Sequence, residues 1–250
     1  MAEGRYDSGD GSVAGRQHIS ARFSAELEAI KNALLEMGGK TESQINLATR
    51  ALLNGAGDVA QEVVAMDKDI NRMEVDIDEQ CARIIARRQP AAFDLRLIIS
   101  IAKVTTDLER IGDEATRVAR MALKSSIREP VRVAESQTMA IAEHVSEMLR
   151  RALDAFARLD VDAAVRVLLS AKLAQTDYEE GMVLLQAAIR NDPGSLKSCM
   201  DQIWALRSLD RVGDHACNVA EQVVYLVTAV DIRHVDEATL VKLLDSGADT

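Results

Sequence analysis

Residues 108–120 read LERIGDEATRVAR, and residues 209–221 read LDRVGDHACNVAE. The two segments lie 101 positions apart and are identical at seven of their 13 positions. Two of the differences, Glu109/Asp210 and Ile111/Val212, are conservative exchanges. Such agreement indicates one structural unit used twice in the chain. In each copy an acidic residue stands four positions before an aspartate.

The composition favours an all-helical protein. Only 3 of the 250 residues are proline and 3% are aromatic, which leaves little material for a β-sandwich or a parallel sheet. The formal net charge of −10 argues against a general nucleic-acid binder, because neutralising phosphates needs a basic surface. The sequence has no apolar run of about 18 residues, so it predicts no membrane-spanning helix.

Apolar residues recur every three or four positions along six segments, which predicts six long helices. Pro90 is expected to separate the second helix from the third, and Asp160 or Asp162 is expected to cap the fifth. The predicted helices cover approximately residues 19–53, 59–89, 91–124, 134–159, 161–190 and 195–230.

These helices predict an all-α fold of two tandem antiparallel three-helix bundles, joined by short turns. The repeat spacing supports two domains, each large enough to bury a core of its own. The expected organisation is a flexible tail at 1–17, bundle 1 at 18–125, a linker at 126–133, bundle 2 at 134–235 and a second tail at 236–250.

The repeated motif places two carboxylates on one face of each predicted helix. Glu109 and Asp113, like Asp210 and Asp214, are four residues apart and therefore only about 40° apart around the helix. Gly112 and Gly213 precede the aspartates, although glycine costs about 1 kcal/mol in mid-helix relative to alanine. We expect a neighbouring helix or a ligand to approach closely there.

Counting from the Pro90 turn identifies what faces the first motif. In an antiparallel hairpin, Glu109 and Asp113 lie level with Asp67 and Asn71, which are also four residues apart. Oxygen-rich pairs on facing helices are the arrangement that binds hard or intermediate metal ions in helical bundles. A solvated acidic face is the alternative interpretation.

The sequence contains none of the common motifs of catalytic, phosphate-binding or Cys/His metal sites. There is no Glu-x-x-His sequence, glycine-rich phosphate loop, nucleophile elbow or Cys/His metal spacing. The four histidines are interpreted as non-ligands, and Cys81, Cys199 and Cys217 as small, reduced helix residues. We therefore predict a protein that is not an enzyme.

Two sets of residues carry a resemblance to a known family. Residues 88–96 read RQPAAFDLR and are followed by DLERIGD at 107–113. In the second half, LDRVGDHA at 209–216 is followed by NVAE at 218–221 and by DIRH at 231–234. Over residues 18–245 the chain resembles the PhoU family of phosphate-signalling proteins.

The resemblance implies a cytoplasmic, homodimeric, non-enzymatic accessory protein. Such proteins repress the phosphate-starvation regulon when phosphate is plentiful, and link the ATPase subunit of the phosphate ABC transporter to a membrane sensor histidine kinase. Two alternatives stay open from the residues alone, namely a metal-binding or metal-storage bundle and a purely structural helical adaptor.

The resemblance also implies that the acidic pairs bind divalent or ferric ions. Asp67, Asn71, Glu109 and Asp113 form the implied set in bundle 1, and the pair Asp210 and Asp214 is intact in bundle 2. The facing helix of bundle 2 offers Ala171 and Gln175 where the family pattern favours acids. A hard cation loses two carboxylates there, so we expect the second site to be weak or empty.

Overall fold

A computed structural model describes residues 11–125, 133–233, 235 and 238–241. It confirms the predicted all-α fold of two tandem three-helix bundles, and the described residues contain no β-strand. The helices are α1 (Gly11–Asn54), α2 (Gly57–Arg88), α3 (Ala92–Ser125), α4 (Glu135–Arg158), α5 (Val161–Asn191) and α6 (Leu196–Thr228). A single 3₁₀ turn, Pro193–Ser195, precedes α6.

Helix α1 extends further towards the N-terminus than the sequence suggested. It begins at Gly11, within the stretch 1–17 that was expected to be a flexible tail, because adding a turn to a formed helix is far easier than nucleating one. Residues 1–10 and most of the predicted linker, 126–132, lie outside the described residues. Most of the predicted tail at 236–250 lies outside them too, although 238–241 are helical.

Local turn chemistry sets the other helix ends. Helix α2 ends at the C-cap Gln89, whose left-handed backbone (φ 48°) lets its amide donate to the Ile85 carbonyl. Pro90 follows and disfavours continuation of the helix through Gln89. Of the two candidate caps for α5, the structure selects Asp160, whose side chain accepts a hydrogen bond of 2.8 Å from the Ala163 amide.

The two bundles share one hydrophobic core. Helix α3 packs along α6 and α1 packs against α4, so buried apolar residues form a single cluster that runs through both halves. In the described part of the chain, no helix is both long enough and apolar enough to cross a bilayer.

Basic side chains of bundle 1 reach the C-terminal ends of two helices in bundle 2. Lys31 of α1 donates to the Ala157 carbonyl (2.9 Å), and Arg96 of α3 donates to the Leu226 carbonyl (3.2 Å). Both carbonyls lie in the last turn of their helices, where backbone acceptors lack helical partners and a positive charge is favourable. These contacts therefore complete α4 and α6 from the neighbouring bundle.

Helices α1 and α4 approach closely at Gly38. A Cβ atom at this position would lie 2.5 Å from Leu153 Cδ1, a contact that side chains do not tolerate. At Gly39, the next residue, an added Cβ would meet no described atom within 4 Å apart from its chain neighbours and the backbone of its own helix. Gly38 is thus explained by packing between the bundles, whereas Gly39 is not.

The two neighbouring glycines should respond to alanine in opposite directions. We expect Gly39→Ala to raise the free energy of unfolding by up to about 1 kcal/mol, the helix-propensity gain at an open mid-helix site. Gly38→Ala has the same gain, but overpacking against the buried Leu153 should outweigh it and give a net loss of about 1 kcal/mol. Urea denaturation followed by circular dichroism measures both, and equal effects would contradict the packing account.

Candidate functional site

The first acidic site lies where α2 packs against α3. Glu109 and Asp113 of α3 and Asp67 of α2 are all partly buried. The Thr116 hydroxyl, one turn beyond Asp113, donates a hydrogen bond of 3.1 Å to Asp67 Oδ1 and so ties Asp67 to α3. The predicted facing of Asp67 and the α3 motif is therefore present in the structure.

The facing position predicted for Asn71 is taken by Glu74. Asn71 is exposed, whereas Glu74 is partly buried and close enough to Glu109 to affect its titration. Relative to Asp67, residue 71 is turned about 40° around α2 and residue 74 only about 20° in the opposite sense. The structure thus gathers four acids, Asp67, Glu74, Glu109 and Asp113, and leaves Asn71 at the edge.

The four acids repel one another. Partial burial raises the pKa of Glu109 above its ordinary value, and the charges of Asp113, Glu74 and Asp67 raise it further. Arg110 acts in the opposite direction, with Nε 3.8 Å from Glu109 Oε2, but its own side chain is 59% exposed. The site therefore holds more negative charge than nearby basic groups offset.

At both motif glycines, a side chain of a neighbouring helix, and not a ligand, occupies the space next to the glycine backbone. A Cβ at Gly112 would lie 3.1 Å from Gln44 Oε1 of α1, and a Cβ at Gly213 would lie 3.3 Å from Val145 Cγ1 of α4. Of the two explanations left open by the sequence, the structure supports close helix packing.

The oxygen donors of bundle 1 suit a hard cation chemically, since carboxylates are the ligands that such ions prefer. Within the described residues, no three histidine, cysteine, aspartate or glutamate side chains are already arranged to hold a metal ion. A cation at this site would have to draw the mutually repelling carboxylates together by side-chain rotation. Glu74 and Glu109, with longer side chains than aspartate, have the reach for that movement.

The second acidic site has a different electrostatic balance. Asp210, Asp214, Ala171 and Gln175 line a cavity of about 340 Å³ between α5 and α6. Arg207 Nη1 lies 2.6 Å from Asp210 Oδ2, so the protein itself supplies a positive charge to this site. The pKa of Asp210 is still raised, by burial first and then by Asp214, while Arg207 lowers it.

The facing helix of bundle 2 contributes one acid, but not at the expected positions. Glu179 also lines the cavity and accepts a hydrogen bond of 3.0 Å from Gln175 Nε2. With Arg207 beside Asp210 and an alanine at 171, bundle 2 offers a hard cation fewer uncompensated carboxylates than bundle 1 does.

Two histidines outside the acidic sites each contact an aspartate on a neighbouring helix. His215 Nδ1 and Asn218 Nδ2 both lie 2.9 Å from Asp107 Oδ1, which joins α6 to α3. His144 Nδ1 lies 2.6 Å from Asp177 Oδ2 and joins α4 to α5.

Comparison with known proteins assigns the family. Residues 34–122 and 138–223 match the PhoU domain, one copy in each bundle. The chain belongs to the PhoU family. This confirms the resemblance seen in the sequence.

This chain aligns with two named relatives over most of its length. It is 48% identical over 217 residues to the phosphate-specific transport system accessory protein PhoU homolog of Pseudomonas putida, covering 87% of this chain and 85% of that protein. It is 41% identical over 236 residues to the accessory protein PhoU of Escherichia coli K12, covering 94% and 96% respectively.

Two crystal structures of PhoU proteins share the fold. That of PhoU from Pseudomonas aeruginosa has a TM-score of 0.81 at 47% identity, covering 83% of this chain and all of that chain. That of the phosphate transport system regulatory protein PhoU from Streptococcus pneumoniae has a TM-score of 0.75 at 25% identity, covering 86% and 99%.

Sequence reasoning missed several residues of the two PhoU-repeat sites. Glu74 follows Asp67 by seven positions, a heptad spacing that could have revealed it. Arg207 stands three residues before Asp210, which is the spacing of a helical ion pair. Gln44 and Thr116 gave a weaker signal, as polar residues at positions that the apolar stripes would otherwise fill.

The raised pKa of Glu109 predicts that Glu109→Gln stabilises the protein at neutral pH. The folded state binds this proton more tightly than the unfolded state, so the free energy of unfolding falls as the pH rises from the ordinary value of 4.5 through the raised one. Removing the charge should gain about 0.5 kcal/mol at pH 7, the scale of like-charge repulsion on adjacent turns.

The measurement is urea denaturation of both proteins in EDTA at pH 7 and pH 4. The difference should shrink at pH 4, which lies below the raised pKa of Glu109, because the wild-type carboxyl is then mostly protonated and uncharged. Glu62→Gln, at an exposed position of α2, serves as the control. A variant less stable than wild type at pH 7 would contradict the repulsion.

Proposed function

We propose that this chain is an accessory protein of the phosphate-specific transport system and a negative regulator of phosphate uptake and of the phosphate-starvation regulon. It acts in the cytoplasm as a homodimer without enzymatic activity. The observation that supports this most directly is its 41% identity, along 94% of its length, to the accessory protein PhoU of Escherichia coli.

In this proposal, the chain couples two partners by contact rather than by catalysis. Its helical surfaces bind the ATPase subunit of the phosphate ABC transporter and the cytoplasmic part of a sensor histidine kinase. The continuous core across both bundles supports such a role, because a rigid body transmits a contact at one surface to another.

Deletion of the gene should activate the phosphate-starvation regulon even in phosphate-rich medium. A transcriptional reporter for that regulon measures the effect, and the full chain supplied from a plasmid should restore repression. Unchanged phosphate-responsive transcription in the deletion strain would overturn the proposal.

Purified, tagged protein should retain both the transporter ATPase and the kinase cytoplasmic domain in pull-down experiments with purified partners. Size-exclusion chromatography with light scattering measures the homodimer in the same preparation. Retention of neither partner would favour the alternative of a structural adaptor for other proteins.

We also propose that bundle 1 binds a hard cation between α2 and α3. Asp67, Glu74, Glu109 and Asp113 would hold it, and its positive charge would offset the repulsion that raises the pKa of Glu109. Bundle 2 is proposed not to bind such an ion, because Arg207 already pairs with Asp210.

Matched substitutions in the two repeats test this asymmetry. Asp113→Ala should abolish Mn²⁺ binding to the purified protein, whereas Asp214→Ala should leave it unchanged at about one ion per chain. Metal analysis by mass spectrometry after equilibration with Mn²⁺ gives the stoichiometry. Equal loss in both variants would contradict the asymmetry.

A further inference from the structure

A chain of hydrogen bonds leads from the core of bundle 1 to its acidic site. Gln44 of α1 is fully buried, and its Nε2 donates to Thr116 Oγ1 (3.1 Å) and to the Val63 carbonyl (3.3 Å). Thr116 of α3 is 1% exposed, and its hydroxyl donates to Asp67 Oδ1 (3.1 Å). Three helices thus contribute to one relay that ends on a carboxylate of the site.

The direction of this relay is fixed by its acceptors. The Val63 carbonyl can only accept, and the Thr116 hydroxyl proton is directed to Asp67, so the Gln44 amide must present its NH₂ group to both. Gln44 Oε1 then accepts no hydrogen bond from any residue that the structure describes. Burying this oxygen costs free energy that an apolar side chain would avoid.

Bundle 2 lacks the whole relay. At the position of Thr116 it has Cys217, and the side chain that meets its motif glycine is Val145 instead of Gln44. Ala171 lines the cavity beside Asp210 and Asp214, where bundle 1 has Asp67. The two repeats share one helix arrangement, but only bundle 1 contains the buried polar relay. Bundle 1 is also the repeat in which a carboxylate accepts the last hydrogen bond of that relay.

We propose that Gln44 and Thr116 are positioning residues for cation binding by bundle 1. Gln44 orients the Thr116 hydroxyl, and the hydroxyl holds one oxygen of Asp67, which leaves the second oxygen for the ion. This inference rests on the proposed cation site. Outer groups that orient a ligating carboxylate typically account for about 10- to 100-fold in metal affinity.

The test measures Mn²⁺ affinity by isothermal titration calorimetry on the full chain. Thr116→Val and Gln44→Leu should each weaken binding by about 10- to 100-fold while keeping one ion per chain. Thr116→Ser, which retains the hydroxyl, should bind within about threefold of wild type. The double variant should bind no more weakly than the weaker single variant, because both substitutions break one relay.

A matched control separates positioning from general loss of packing. Thr49→Val makes the same substitution at a buried site in the same bundle, where the hydroxyl donates to the Ile45 carbonyl in its own helix. It should leave Mn²⁺ affinity unchanged, and thermal melting of both variants measures how far each substitution loosens the packing. If Thr116→Val fails to fold, Gln44→Leu and Thr116→Ser carry the comparison.

The outcomes distinguish the relay from the site. If wild type binds Mn²⁺ and Asp113→Ala does not, but Thr116→Val and Gln44→Leu bind like wild type, the relay is wrong and the cation site stands. Equal weakening by Thr49→Val would also overturn the relay. Absence of Mn²⁺ binding to wild type would overturn both.

Discussion

The packing of α3 against α6 is the constraint on which the rest of the structure depends. At its centre the Glu114 side chain is only 4% exposed, between Arg117 of its own helix and Arg211 of the other bundle. A buried carboxylate needs such partners, so the contact with Arg211 ties Glu114 of bundle 1 to α6 of bundle 2. Glu109 lies about 140° around α3 from Glu114, which directs the acidic motif away from this interface and towards α2.

Much of this arrangement was predictable because hydrophobic periodicity and turn residues act locally. The six helices follow from their apolar spacing, and Pro90 and Asp160 mark two of their ends. It was harder to predict from the sequence whether Asn71 or Glu74 faces the acidic motif of α3. Counting from a turn gives the level of a residue along the bundle, but its rotation about the helix depends on how the helices pack.

The two repeats show which parts of a duplicated unit are free to change. The apolar positions and motif glycines are shared because both bundles must allow the same close helix packing. The polar side chains around the carboxylates face weaker packing constraints and have diverged, with Thr106 in bundle 1 where bundle 2 has Arg207. Two repeats with the same helix packing can therefore differ in the chemistry of their acidic sites. A long side chain such as arginine is enough to cause that difference.

Lys31 and Arg96 complete two helix ends, and these contacts make bundle 2 depend on bundle 1 for the capping of α4 and α6. Both donors belong to bundle 1, and both acceptors are last-turn carbonyls of bundle 2. During synthesis the N-terminal half leaves the ribosome first and folds as a unit. Helices α4 and α6 therefore emerge next to a surface that already carries their terminal partners, whereas the buried Glu114 of bundle 1 gains Arg211 only after α6 has been made.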